Sequence, residues 1–147
     1  MQVPDFVKCD FPLARCLTLG VGGRADYFTG IDSLPRLQAV HYFAKKNNLD
    51  TLVVGRGSNI LFSDRGFRGL IMRMNMRQLR YNFESDELWV DAGALVSDIV
   101  SLGEEMGFSG FECFAGLPGT VGGAIYGNAG CYEKQFWDVV EAIRFFD

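Results

Sequence analysis

Glycine is concentrated in three short stretches of this sequence, at positions 18–23, 55–59 and 115–124. The 147 residues include 18 glycines, about one residue in eight against an ordinary share of about 7%. A hydrophobic content of 48% with only four prolines excludes a disordered chain, and the absence of a Gly-x-y period excludes collagen. The glycines therefore indicate a compact domain whose backbone turns tightly or approaches another group closely at chosen places.

Size and charge narrow the class of protein further. The length is typical of one domain, and 14 Lys and Arg against 18 Asp and Glu give a net charge of -4, which argues against a nucleic-acid-binding protein. Five arginines between positions 65 and 80 favour a solvated strand edge or loop, with a phosphate-attracting rim as the alternative. No secretory or transmembrane apolar run occurs, so we expect a cytoplasmic protein without membrane contact.

Cysteine and histidine do not predict a metal site. The four cysteines have no C-x-x-C spacing, and His41 is the single histidine, so a zinc site has few ligands to draw on. We expect reduced, mostly packed thiols.

Hydrophobic periodicity predicts two helices and several strands. Apolar residues recur at helical spacing after the candidate N-cap Ser33 as far as Lys46, and again from Leu95 to Met106, before Gly107. The predicted strands are Thr51–Val54, Ile60–Phe62, Leu70–Met72, Leu88–Ala92 and Val139–Phe146. This order predicts a mixed α/β or α+β domain.

The stretch 55–59 follows the first of these strands and has the composition of an anion-binding loop. Glycines at 55 and 57 permit positive φ angles, so that successive N–H groups can form a concave nest, and Ser58 and Asn59 add side-chain donors. The stretch is not a dinucleotide-binding fingerprint, because Ile60 occupies the third glycine position, and it is not a P-loop. A plain β-turn explains it equally well.

The stretch 115–124 contains four glycines in eight positions and offers a backbone surface with little side-chain bulk. Such a surface suits a pyrophosphate, which needs main-chain donors and no obstructing Cβ. A tightly packed connection between two elements is the equally weighted alternative. The third cluster, 18–23, favours several loops converging on one extended ligand.

Five motifs occur in order along the chain: Thr18-Leu-Gly-Val-Gly-Gly, Val54-Gly-Arg-Gly-Ser-Asn-Ile-Leu, Gly66-Phe-Arg-Gly-Leu-Ile, Ala115-Gly-Leu-Pro-Gly-Thr-Val-Gly-Gly-Ala and Asn128-Ala-Gly-Cys-Tyr. Together they strongly resemble the UDP-N-acetylenolpyruvoylglucosamine reductase family. The resemblance implies an α+β, two-lobed FAD-binding domain of the PCMH (vanillyl-alcohol-oxidase-like) type, with lobes at about 1–73 and 74–147 and the C-terminal substrate domain absent. It implies cofactor-binding roles for Val54, Gly55, Arg56, Gly57, Ser58, Asn59, Ala115, Gly116, Pro118, Gly119, Thr120, Val121, Gly122, Gly123, Asn128 and Ala129.

The same resemblance implies an oxidoreductase of peptidoglycan synthesis, and hence of cell wall biogenesis, cell shape and cell division. In that family NADPH reduces FAD, and the reduced flavin gives a hydride to the enolpyruvyl group of a UDP-sugar. The family's catalytic arginine, serine and glutamate fall beyond Asp147, so we expect a chain that is catalytically incomplete by itself. The alternatives are a non-catalytic flavin- or nucleotide-binding module acting with a partner chain, and a different oxidoreductase of the same superfamily.

Overall fold

The computed structural model describes residues 2–146 and has eight strands and three α-helices. The strands are β1 (Lys8–Pro12), β2 (Arg24–Ile31), β3 (Thr51–Val54), β4 (Phe67–Met74), β5 (Leu79–Asn82), β6 (Glu87–Val90), β7 (Gly130–Cys131) and β8 (Lys134–Gln135). The helices are α1 (Leu34–Lys46), α2 (Val96–Met106) and α3 (Val121–Tyr126), with single 3₁₀ turns at Leu13–Arg15, Glu112–Phe114 and Phe136–Val139. Within residues 2–146, no helix has both the length and the apolar character needed to span a membrane.

The first half of the chain forms a four-stranded sheet in the order β1-β2-β4-β3. The pairing of β1 with β2 is antiparallel, whereas β4 runs parallel to both β2 and β3. Strand β4 carries the unbroken buried run Leu70-Ile71-Met72, as expected of a parallel strand covered on both faces.

Alternate residues of β4 belong to two different cores, because successive side chains of a strand point to opposite faces. On one face, Leu70 and Met72 pack with Val40 and Phe43 of α1. On the other face, Ile71 packs with a cluster composed of Leu13, Cys16, Leu17, Ala25, Phe28 and Val54. The second face therefore lies against residues that directly precede the glycine stretches 18–23 and 55–59.

The second half of the chain builds its own hydrophobic cluster. Antiparallel pairing of β5 with β6 is followed by α2, which ends at Gly107 in the left-handed conformation, with φ of 74°. The buried members of this cluster are Ala94, Val96, Ile99, Phe114, Val121, Ala124 and Phe136.

Both helices predicted from periodicity are confirmed, as are strand β3, the segment Leu70–Met72 inside β4, and Leu88–Val90 inside β6. The strand predicted at Ile60–Phe62 is wrong. Within the described residues this segment has no regular structure and pairs with neither edge strand, β1 or β3; Ile60 and Phe62 pack against the cluster around Ile71 instead.

The strand predicted at Val139–Phe146 is also wrong. Val139 ends a 3₁₀ turn and residues 140–146 have no regular structure, with Phe145 81% exposed. Phe146 instead meets the ring of His41 in α1 edge-on, at 5.4 Å between centroids. Apolar β-branched composition predicted a strand here, but strand formation also requires a neighbouring strand.

Candidate functional site

The glycine stretches 55–59 and 115–124, here called the first and second stretches, are in direct contact. A Cβ atom built on Gly55 would overlap the Oγ1 atom of Thr120 and lie 3.1 Å from its Cγ2. Gly55 directly follows β3, and Thr120 precedes α3, so two elements distant in sequence meet at this point. Only a residue without a Cβ permits this approach.

The third stretch, 18–23, joins the first one through Thr18. The backbone N–H of Thr18 donates to the carbonyl oxygen of Gly57 at 3.3 Å, and its hydroxyl donates to the carbonyl oxygen of Arg56 at 3.4 Å. A Cβ atom on Gly57, whose φ is +67°, would lie 2.6 Å from Leu17 Cδ2. The convergence of the three glycine stretches expected from the sequence is confirmed.

Between these stretches lies a cleft of about 300 Å³, here called the glycine cleft. It is lined by Thr18, Arg56, Ser58, Leu95, Ser97, Gly116, Leu117, Pro118 and Gly119. Gly119 has a φ of +124°, and a Cβ on it would point toward Ser58 Oγ at 3.5 Å. Gly116 has a φ of +85° and open space around its missing Cβ. Side chains at either position would therefore enter the cleft.

The cleft offers backbone donors and a positive charge. Of the described residues that line the cleft, Arg56, Ser58 and Gly119 have backbone N–H groups that make no hydrogen bond within the protein. The guanidinium of Arg56 is the charged group among the described residues that line the cleft. Free N–H groups beside an arginine suit an anionic group such as a diphosphate.

Part of the second stretch has a structural role. The N–H of Val121 donates to the carbonyl of Ala94, and that of Gly122 to the carbonyl of Ala92, both at 2.9 Å. The N–H of Gly123 donates to Thr120 Oγ1 at 3.3 Å, which caps α3. These three N–H groups are therefore satisfied by the protein, and cofactor contact by their residues stays a prediction.

Of the sixteen residues predicted for cofactor binding, Arg56, Ser58, Gly116, Pro118 and Gly119 line the glycine cleft. Three others, Val54, Thr120 and Val121, are buried and do not line the cleft. Asn128 follows α3 with a φ of 42°, and its Oδ1 accepts from the backbone N–H of Trp137 at 3.2 Å. Because its amide nitrogen also donates to Gln135 of β8, the Asn128 side chain ties the segment before β7 to β8 and to the 3₁₀ turn that follows β8.

Sequence reasoning did not select four residues that line the cleft: Thr18, Leu95, Ser97 and Leu117. The position of Thr18 at the start of the glycine stretch 18–23 is a sequence signal that points to it as a residue of the site. Leu95 and Ser97 reach the site because Leu95 forms a β-bridge with Thr120, and no local spacing in the sequence reveals that pairing.

Comparison with known proteins decides the family. Residues 26–147 match the family model described as "FAD binding domain". The chain belongs to this family. Its cofactor is accordingly FAD, as the motifs indicated, and the α+β fold of the PCMH type is confirmed.

Among relatives of this FAD binding domain are enzymes named UDP-N-acetylenolpyruvoylglucosamine reductase. The one from Solibacter usitatus is 36% identical over 96% of this chain and 45% of its own length, and the one from Protochlamydia amoebophila is 35% identical over 100% and 49%. The crystal structure of the Thermus caldophilus reductase is similar, with a TM-score of 0.72 and 30% identity over 90% of this chain and 47% of its own. The chain spans about half the length of these relatives, and the resemblance read from the motifs is confirmed.

Proposed function

We propose that this chain forms the flavin site of a reductase that converts UDP-N-acetylenolpyruvoylglucosamine to UDP-N-acetylmuramate in peptidoglycan synthesis. The observation that carries the proposal is the meeting of three glycine stretches around one cleft that offers unbonded N–H groups and an arginine. The names of the similar reductases supply the reaction.

The residues of the glycine cleft fit the diphosphate of FAD. The N–H groups of Arg56, Ser58 and Gly119 would donate to its oxygens, and the Arg56 guanidinium would balance its charge. Gly116 and Gly119 would let the cofactor lie against the backbone, because neither has a Cβ to block it. The other predicted positions, Gly55, Ala115, Asn128 and Ala129 among them, would shape or flank the bound cofactor.

The protein's part in this chemistry is to hold and orient the cofactor. Bound FAD supplies the capacity to accept and donate a hydride. Thr18 would keep the first stretch in place through its two hydrogen bonds to the carbonyls of Arg56 and Gly57. Thr120 would fix the second stretch by capping α3.

We further propose that two lobes, divided near residue 74, bind the cofactor between them. The separate clusters around Ile71 and around Phe114 support this division. NADPH as the reductant, a UDP-sugar as the substrate and a cytoplasmic location complete the proposal, by similarity to the named reductases.

A hybrid enzyme tests the proposed reaction. This chain would replace the matched half of the Protochlamydia amoebophila reductase, with the unaltered reductase as the positive control. We expect the hybrid to bind FAD and to oxidise NADPH only when UDP-N-acetylenolpyruvoylglucosamine is present. A folded hybrid that binds FAD but never shows substrate-dependent NADPH oxidation would contradict the proposed reaction and leave the flavin site intact.

A further inference from the structure

A second cleft, of about 320 Å³, lies next to the glycine cleft and contains three arginines. It is lined by Arg15, Cys16, Leu17, Thr18, Arg56 and Arg73, and is here called the arginine cleft. Thr18 and Arg56 line both clefts. The two clefts therefore adjoin along the segment where the first and third glycine stretches meet.

The three arginines come from separate elements that the fold brings together. Arg15 ends the 3₁₀ turn after β1, Arg56 lies in the first glycine stretch, and Arg73 lies near the end of β4. Arg73 pairs in register with Val54, the last residue of β3. The arginine cleft thus opens at the carboxyl ends of two parallel strands, where ligands of α/β sheets commonly bind.

Among residues 2–146, no acidic side chain forms an ion pair with these arginines. Ion pairs in the described part of the chain join Arg24 to Asp10, Arg36 to Asp32 and Arg68 to Asp26, and none involves Arg15, Arg56 or Arg73. Like charges that line one cleft repel one another, so a bound anion would stabilise this arrangement.

Cys16 adds no negative charge to the cleft near neutral pH. Its thiol is buried and donates to the carbonyl of Leu13 at 3.2 Å. Burial raises the pKa of this thiol above its ordinary value, and the nearby Arg73 charge offsets only part of the rise.

We propose that the arginine cleft is an anion site that takes a phosphate group. Three guanidinium groups suit the several oxygens of a phosphate, and arginine binds such oxygens in a bidentate manner. The phosphate belongs either to FAD itself or to a second nucleotide that approaches the flavin. Arg15 and Arg73 lie outside the glycine cleft, whereas Arg56 lines both clefts, and the site does not depend on the proposed reaction.

Titration of the cofactor-free chain with inorganic phosphate, followed by ³¹P NMR, tests the site. We expect Arg15→Gln and Arg73→Gln each to weaken phosphate binding about tenfold, the effect of losing one charged hydrogen-bonding partner. The matched control is Arg77→Gln, which removes the same charge from an exposed position outside both clefts and should change binding less than twofold. Equal weakening by all three substitutions, or no weakening by the first two, would overturn the proposal.

A local readout places the phosphate beside Cys16. Bound phosphate should slow the reaction of Cys16 with a thiol reagent while leaving the exposed Cys9 unaffected. If a glutamine variant does not fold, Arg15→Lys and Arg73→Lys keep the charge but lose the bidentate geometry, and we expect about threefold weakening. Phosphate binding that leaves the Cys16 rate unchanged would place the ion elsewhere and overturn the proposal.

Two further titrations identify the source of the phosphate. If FAD loading abolishes inorganic phosphate binding, the arginine cleft holds a phosphate of FAD. If the FAD-loaded chain still binds phosphate and prefers NADP⁺ to NAD⁺, which differ only by the 2′-phosphate, the site serves a second nucleotide. Failure of FAD to bind at all would contradict the flavin site but leave the arginine-dependent phosphate result standing, so the two proposals fail separately.

Discussion

Gly55 packs against the side chain of Thr120, where the chain leaving β3 meets the start of α3. The Thr120 oxygen that leaves no room for a Cβ on Gly55 is also the oxygen that accepts the N–H of Gly123. One threonine side chain therefore caps a helix and sets the distance between two glycine stretches. The glycine cleft depends on this contact.

The contact predicts a strong coupling between positions 55 and 120. Gly55→Ala should lower the free energy of unfolding by about 1–3 kcal/mol, because the new methyl group overlaps Thr120 Oγ1. Thr120→Ala alone should cost about 1 kcal/mol through loss of the helix cap. In the double variant the cost of the Gly55 substitution should fall by at least about 1 kcal/mol. Denaturant unfolding of the four proteins measures the coupling, and strict additivity would show that the two residues do not interact.

Alanine substitutions at two glycines distinguish an effect on cofactor binding from an effect of backbone strain. Gly119, in the glycine cleft, and Gly110, outside it, have φ angles of +124° and +108° and no close neighbour that a Cβ would strike. Alanine at either position should destabilise the fold to a similar extent, because both conformations disfavour a side chain. Only Gly119→Ala should weaken FAD binding, by about tenfold or more, since its methyl group enters the cleft. Similar FAD affinities for the two variants would show that Gly119 does not border the cofactor.

Stability should fall in alkaline solution because of Cys16. The folded state raises the pKa of this thiol, chiefly by burial, so its contribution is fully present below the ordinary pKa of about 9 and is lost as the pH rises above it. Cys16→Ala should therefore show a smaller loss of stability between neutral pH and pH values above about 9 than the unaltered chain. Unfolding measured across this range tests the sign, and identical pH dependence in both proteins would exclude the effect.

A substitution of Arg73 provides a second test of the raised pKa of Cys16. Its positive charge partly lowers the pKa of Cys16, so Arg73→Gln should raise that pKa further and slow the reaction of Cys16 with a thiol reagent. The rate for the exposed Cys9 is the internal control and should not change. Faster labelling of Cys16 in the variant would indicate local unfolding in place of the electrostatic effect.

Local patterns predicted the elements whose cause is local. The helical spacing after Ser33 and the glycine at 107 set the bounds of α1 and α2 closely. Helix α3 was missed, since Gly122 and Gly123 disfavour a helix by about 1 kcal/mol each. It forms because the Thr120 cap and the carbonyls of Ala92 and Ala94 satisfy its first N–H groups.

Tertiary context explains the remaining differences. Ile60–Phe62 had the composition of a strand, but Ile60 and Phe62 pack against the cluster around Ile71 and the segment pairs with no strand of the described residues. The glycine spacing and the family motifs located both loops of the glycine cleft, whereas Leu95 and Ser97 reach it only through the bridge between Leu95 and Thr120. A pairing between residues so far apart in sequence has no local signal.

Binding of FAD by the purified chain tests the central claim most directly. The chain, freed of bound nucleotide, would be titrated with FAD and followed by flavin fluorescence and visible absorbance, with Gly119→Ala and Gly110→Ala titrated in parallel. The account predicts saturable binding of one FAD per chain, a perturbed flavin spectrum, and loss of affinity in Gly119→Ala alone. A folded chain that leaves the flavin spectrum unchanged at all FAD concentrations would contradict it.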